Sequence, residues 1–179
     1  AYAGYPSSVA IYDGRLWWAM GDNFAGSVSD SFDSFDLTVS GDSAPVIRSI
    51  GYGGVETSRW ILPLQRLIVG TSGSEISVRS SAFDSPITPT DMTARNASTY
   101  GSAPVRPAII DRTGIFAAKD QRTVCELAYS VDAQDYVSKE LTELHPTLFD
   151  SPIVDIAVQR HPDTRVYFAL LDGSARCLV

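Results

Sequence analysis

The chain is poor in the residues from which most catalytic and metal sites are made. Its 179 residues include two cysteines and two histidines. That excludes a disulfide framework, and with no C-x-x-C pair it leaves zinc without a ligand set. His145 precedes Pro146 and His161 precedes Pro162. Both therefore read as turn residues rather than as general bases. There is no G-x-S-x-G elbow, and Gly51-Tyr52-Gly53-Gly54 does not follow phosphate-loop spacing. No run of about eighteen apolar residues exists. The start, Ala1-Tyr2-Ala3-Gly4-Tyr5-Pro6, lacks the charged and apolar regions of a signal peptide. It also lacks an initiator Met, and the end at Cys177-Leu178-Val179 falls within a strand pattern. The expectation is a piece of a longer polypeptide with unfinished edges. Lys and Arg number 14 against 21 Asp and Glu, a net charge of −7, and the basic residues are scattered. A protein that wraps nucleic acid needs clustered cations to neutralise phosphates. No cofactor, no metal and no enzymatic chemistry are expected.

A repeat is present instead. A short apolar strand, a turn and a second apolar strand recur four times: Val9–Tyr12 with Arg15–Ala19, Trp60–Leu62 with Arg66–Gly70, Ala108–Ile110 with Gly114–Ala117, and Val154–Val158 with Arg165–Ala169. With Leu16, Leu67, Ile115 and Val166 as anchors, the intervals are 51, 48 and 51 residues. A period near fifty built from strands is the mark of a radial β-array. The fold class expected is all-β, a β-propeller-like array of four visible blades, with repeats at about 6–50, 57–96, 104–148 and 151–179. The turns agree. Asp13-Gly14 suits a two-residue type I′ hairpin. Asp111–Gly114 and His161–Thr164 read as longer turns, and Leu64-Gln65 is the least turn-like. Thr71–Ser74 and Asp172–Ser174 lead into third strands at Glu75–Val78 and Ala175–Leu178.

Other segments carry weaker signals. Cys125 and Cys177 fall in corresponding strands of neighbouring repeats and read as buried thiols. The run Ser27–Asp36 spaces its carboxylates three apart and lacks the glycine and closing Glu of an EF-hand loop, so it reads as a solvated turn with Phe32 and Phe35 tucked inward. Val137, Leu141 and Leu144 stand at helical spacing, which predicts one short helix near 137–145. Asn96-Ala97-Ser98 matches a glycosylation sequon, a triplet common by chance.

Several stretches taken in order resemble a family of tailed-phage structural proteins that includes the tail nozzle, or tail tubular protein B. They are Gly4-Tyr5-Pro6 with Arg15-Leu16-Trp17, Trp60–Glu75, Pro86–Met92, Ser98–Pro107, Glu126–Tyr129, Asp135–Val137, Leu141-Thr142 and Ile153–Ala157. The likeness extends over nearly the whole chain. Two departures stand out: Ile76 takes the place of an aromatic, and Gly21–Gly26 lacks the family's basic and aromatic residues. The resemblance implies a virion component, assembled in the host bacterial cytoplasm. Its partners would be copies of itself in a ring, other tail or portal-adaptor proteins, and genomic DNA that passes through the lumen without specific binding. A conduit of that kind gives the acidic charge a purpose, and a cluster of Arg106, Arg112 and Arg122 facing the DNA would contradict it.

For subunit contacts the sequence singles out Tyr100, Pro104, Arg106 and Pro107, because a loop restrained by Gly and Pro loses little entropy on docking. The competing reading is that Tyr100-Gly101 is a turn required by its own repeat. The alternative function is a carbohydrate- or receptor-binding propeller module at the tail tip, with a pocket lined by Trp17, Trp18 or Trp60. Trp17 and Trp18 are adjacent in a strand and so point to opposite faces.

Overall fold

A computed structural model describes residues 5–50, 56–82 and 85–179. Gly4 and Gly51–Gly54 of the sequence reading lie outside the described residues. The described chain is all-β, with fifteen strands in four antiparallel sheets and no helix. The first sheet contains β1 (Ser8–Tyr12), β2 (Arg15–Met20), β3 (Asn23–Gly26) and β4 (Val46–Ser49). The second contains β5 (Ser58–Pro63), β6 (Leu67–Thr71), β7 (Glu75–Arg79) and β8 (Thr93–Ser98). The third contains β9 (Ala108–Ile110), β10 (Thr113–Ala117), β11 (Val124–Ser130) and β12 (Asp135–Glu140). The fourth contains β13 (Ile153–Gln159), β14 (Arg165–Leu170) and β15 (Ala175–Leu178). Each sheet is a meander in chain order, so every repeat is folded from contiguous residues.

Turn chemistry sets the hairpins. Asp13 and Gly14 have φ of 48° and 68°, the left-handed pair that a two-residue type I′ loop needs. The turn after β9 is shorter than expected: Ile110 pairs with Thr113, so only Asp111 and Arg112 form the loop. The long connection from β3 to β4 is held by Arg15, which is 2% exposed. Its guanidinium donates to the carbonyls of Ser27 (2.6 Å), Ala44 (2.7 Å) and Asp42. Phe32 is exposed, not tucked inward, because the loop is organised around Arg15 rather than around its own aromatics.

The expected helix near 137–145 is a strand followed by turns. β12 pairs with β11 from Cys125↔Glu140 to Ser130↔Asp135. Its buried residue is Tyr136, whereas of the helically spaced residues Val137 and Leu144 are exposed and only Leu141 packs against a core cluster. The sequence marks third strands at Glu75–Val78 and Ala175–Leu178, and the structure adds a fourth strand to each of the first three sheets.

Cross-strand partners share a face, so the register divides each sheet into two sides. Trp17, Ala19 and Phe24 of the first sheet meet Ile61, Leu67, Val69 and Val78 of the second. The other side of the second, with Trp60, Leu62 and Ile68, meets Phe116, Leu127 and Tyr136 of the third. Ile115, Ala117 and Val124 on the third sheet's far side meet Ile153, Val166 and Phe168 of the fourth. Three hydrophobic clusters are thus three sheet-to-sheet junctions. This assignment corrects one anchor: Leu67 and Val166 face the preceding sheet, but Ile115 faces the following one, and Gly114 is the residue on the matching side. Two glycines let tryptophan lie flat across a neighbouring strand. A Cβ on Gly26 would stand 2.6 Å from the Trp17 ring, and one on Gly70 would stand 2.2 Å from that of Trp60.

Candidate functional site

The segment Gly70–Glu75 and the segment Tyr100–Ser102 come together at the junction of the second and third sheets. Thr71 closes the turn by accepting the Ser74 amide at 3.0 Å, while its own amide donates to the Ser74 carbonyl at 2.8 Å. Thr71 and Ser74 both donate their hydroxyls to the Glu56 carboxylate, Ser74 at 2.7 Å. Glu75 follows on the face that meets the third sheet and is fully buried. Ser102 donates to it at 2.7 Å, Ser98 also donates its hydroxyl, and the Tyr100 amide supplies a third hydrogen bond. Burial pushes the Glu75 carboxyl above its ordinary range, those three donors oppose the shift, and the Glu56 charge adds to it. Gly101 has φ of 71°, and a Cβ there would stand 2.8 Å from the Ser72 carbonyl oxygen. The Ser102 amide donates to the Thr71 carbonyl at 2.7 Å. Tyr100-Gly101 is therefore a turn that locks one sheet onto the next.

The four residues singled out for subunit contacts are not one patch. Pro104, Arg106 and Pro107 line a cavity of about 840 Å³ that runs beside β1, β5 and β9, with Val9, Arg59 and Pro63 among its walls. Pro104 and Arg106 are exposed and Pro107 is buried. Tyr100, 42% exposed, borders a separate hollow with Lys119, Asp120 and Glu140.

A further cavity of about 710 Å³ lies where loops of the first three sheets converge, lined by Tyr12, Asp13, Arg66, Arg79 and Tyr129 among others. Arg66 pairs with Asp135 at 2.6 Å and sits 5.4 Å from the centre of the Tyr129 ring. The Tyr12 phenol donates to the Gln65 carbonyl at 2.9 Å. Burial pushes its pKa up to about 12, with the Asp13 charge adding to the shift, and burial also raises Asp13. Such groups can donate hydrogen bonds and stack.

The remaining candidates are dispersed. Trp17 and Trp60 are buried in sheet junctions, and only Trp18 is partly accessible. His145 and His161 are both exposed in loops. Cys125 is buried and burial pushes its thiol up to about 12. Cys177 is exposed, a correction to the expectation of two buried thiols, because by register it lies on the side of β15 that faces away from the third sheet. Among the described residues no group of three or more His, Cys, Asp or Glu is placed to hold a metal, and no helix is long and apolar enough to cross a membrane. Signals for Glu75 and Arg15 were present as charged residues inside apolar strands, but sequence alone did not say that they were buried. No family model matches the chain, and no curated protein is significantly similar to it.

Proposed function

We propose that this chain is a structural component of a tailed-phage virion, part of a tail nozzle, tube or neck ring through which DNA leaves the capsid. In this reading the four sheets are blades of a β-propeller-like array, and the partners are copies of the chain, other tail or portal-adaptor proteins and DNA passing without specific contacts. One observation carries the reading. The segments of the phage-like resemblance that are richest in motif, Gly70–Glu75 and Ser98–Pro107, are the ones that fasten the second sheet to the third. Their residue choice is explained by assembly of the array and calls for no substrate.

Charge is consistent with a conduit. The net charge is −7, and Arg112 and Arg122 stand in the turns at opposite ends of β10, so they form no single basic patch with Arg106. The tail-tip binding alternative loses Trp17 and Trp60, which are committed to sheet packing. Electron cryomicroscopy of the particle that carries the protein tests the proposal. A ring of these repeats on the tail axis is the expected result. Density confined to peripheral fibres, or absence from the virion, overturns it.

A further inference from the structure

The cavity of about 840 Å³ beside β1, β5 and β9 carries charge of one sign. Arg59 and Arg106 are among its walls, and among the described residues no Asp or Glu lines it, in a chain whose net charge is −7. The other walls are mostly apolar, Pro63, Pro104 and Ile109 among them. These five residues lie on β5, on β9 and in the connection from β8 to β9, well inside the chain. Neither guanidinium has a hydrogen-bond or ion-pair partner among the described residues. Three described arginines have a buried nitrogen without a hydrogen-bond partner, Arg59, Arg66 and Arg165. Arg66 and Arg165 each pair with a carboxylate, and Arg59 does not. Arg59 Nε is thus shielded from water while the protein supplies no acceptor, an arrangement that costs free energy unless something else completes it. Backbone geometry places this residue. Arg59 is the extra residue of a β-bulge between the pairs Ser58↔Thr71 and Trp60↔Gly70, and a bulge re-aims a side chain. The fourth sheet has a bulge at the matching point of β13, where the extra residue is Val154. The bulge therefore does not require an arginine. Arg106 is exposed and takes no part in fastening the second sheet to the third, which uses Ser98, Tyr100, Gly101 and Ser102.

We propose that this cavity binds a small phosphomonoester, with its phosphoryl group held by Arg59 and Arg106 and its apolar body resting on Pro63, Pro104 and Ile109. Guanidinium forks match phosphoryl oxygens in bidentate geometry. A phosphomonoester carries about −1.5 to −2 charges near pH 7, which two arginines balance. A carboxylate, or one phosphodiester of a DNA strand, carries a single charge and leaves one arginine unmatched. Apolar walls lower the local dielectric and strengthen the pairing. The volume falls in the range of about 300–1,000 Å³ typical of small-molecule sites. The inference goes beyond the virion reading and does not rest on it.

Isothermal titration calorimetry of the purified chain at low salt tests it with phenyl phosphate as the probe. Phenyl phosphate is expected to bind one per chain with a Kd of about 1 mM or tighter, and at least tenfold more tightly than benzoate. Arg59→Gln and Arg106→Gln each weaken it tenfold or more, whereas Arg112→Gln, at an exposed turn outside the cavity, leaves it unchanged. Arg59→Met separates binding from a structural role. Without ligand its Tm holds or rises, because a buried donor with no acceptor is gone, and the rise in Tm that phenyl phosphate gives the wild type is lost. Absence of binding overturns the proposal, as does benzoate binding as tightly as phenyl phosphate. A short DNA duplex that binds as tightly through the same two arginines overturns it in favour of a backbone contact. Binding indifferent to both arginines, or a lowered Tm in Arg59→Met with binding intact, overturns it as well.

Discussion

Glu75 is the residue whose replacement tests the sheet junction most directly. Glu75→Ala removes four heavy atoms from a fully buried position, a loss comparable to Leu→Ala, and strands the Tyr100 amide, which cannot rotate to another acceptor. Cavity formation costs about 2–5 kcal/mol and an orphaned buried donor about 1–3 kcal/mol. Relief of burying a carboxylate offsets part of that, so a net cost of about 3–4 kcal/mol is expected near neutrality. For a chain of this size that corresponds to a fall in Tm of roughly 10 °C. The pH dependence adds a second signature. Because the folded-state pKa is raised, the stabilising contribution of Glu75 is full below the carboxyl's unfolded pKa and is lost as pH rises through the folded pKa. Glu75→Ala should therefore cost more at pH 4.5 than at pH 7.5. Glu75→Gln keeps the volume and one acceptor, and it should stay within about 1 kcal/mol of wild type at pH 7 with a flatter profile above pH 4.5. Urea denaturation across that pH range measures all three. If Gln is as damaging as Ala at pH 7, the carboxylate's charge is what the junction needs and the reasoning fails.

Three other outcomes follow from the same physics. Arg15→Met removes the donor to three loop carbonyls and should cost about 2–4 kcal/mol, with hydrogen exchange rising in residues 27–44 while β6 and β7 stay protected. Unchanged exchange in that loop would show that Arg15 does not organise it. Gly101→Ala meets both a positive φ and the Ser72 carbonyl and should lose at least about 2 kcal/mol in thermal unfolding, whereas Gly41→Ala, with open space around its Cβ, should lose about 1 kcal/mol. Equal losses would refute the docking role of the Tyr100-Gly101 turn. In thiol titration Cys125 should remain unreactive until the chain unfolds, because it is buried and its pKa stands at about 12. Rapid labelling of two thiols per native chain would contradict that.

The parts legible in the sequence are those where apolar residues and turn residues coincide. The Asp13-Gly14 hairpin and the inner strands could be read because both faces of those strands are buried, as in β6, or because one face alternates cleanly, as in β2. The outer strands were hidden. β8 reads Thr-Ala-Arg-Asn-Ala-Ser and β4 is half exposed, so solvent on one side dilutes the pattern, and β12 took on a false helical period. A one-residue error in the third anchor followed from a similar ambiguity: Gly114, Ile115, Phe116 and Ala117 are all buried, which leaves no alternation to fix the face. At the site, Tyr100, Pro104, Arg106 and Pro107 share one loop restrained by Gly and Pro, and restraint says nothing of which way each side chain points. An extended segment alternates its side chains, and so it separated exposed Pro104 and Arg106 from buried Val105 and Pro107.

Because each sheet is contiguous in the chain and packs its hydrophobic sides on its sequence neighbours, cooperativity is passed along the array from junction to junction. All three junctions carry a hydrophobic cluster, and the middle one adds a buried acid with its hydroxyl donors. Weakening it would divide the molecule into two halves of about equal size, each retaining one intact hydrophobic cluster. The carboxyl group of Glu75 thus helps to set how tightly the two halves are coupled, on top of the hydrophobic cluster that they share.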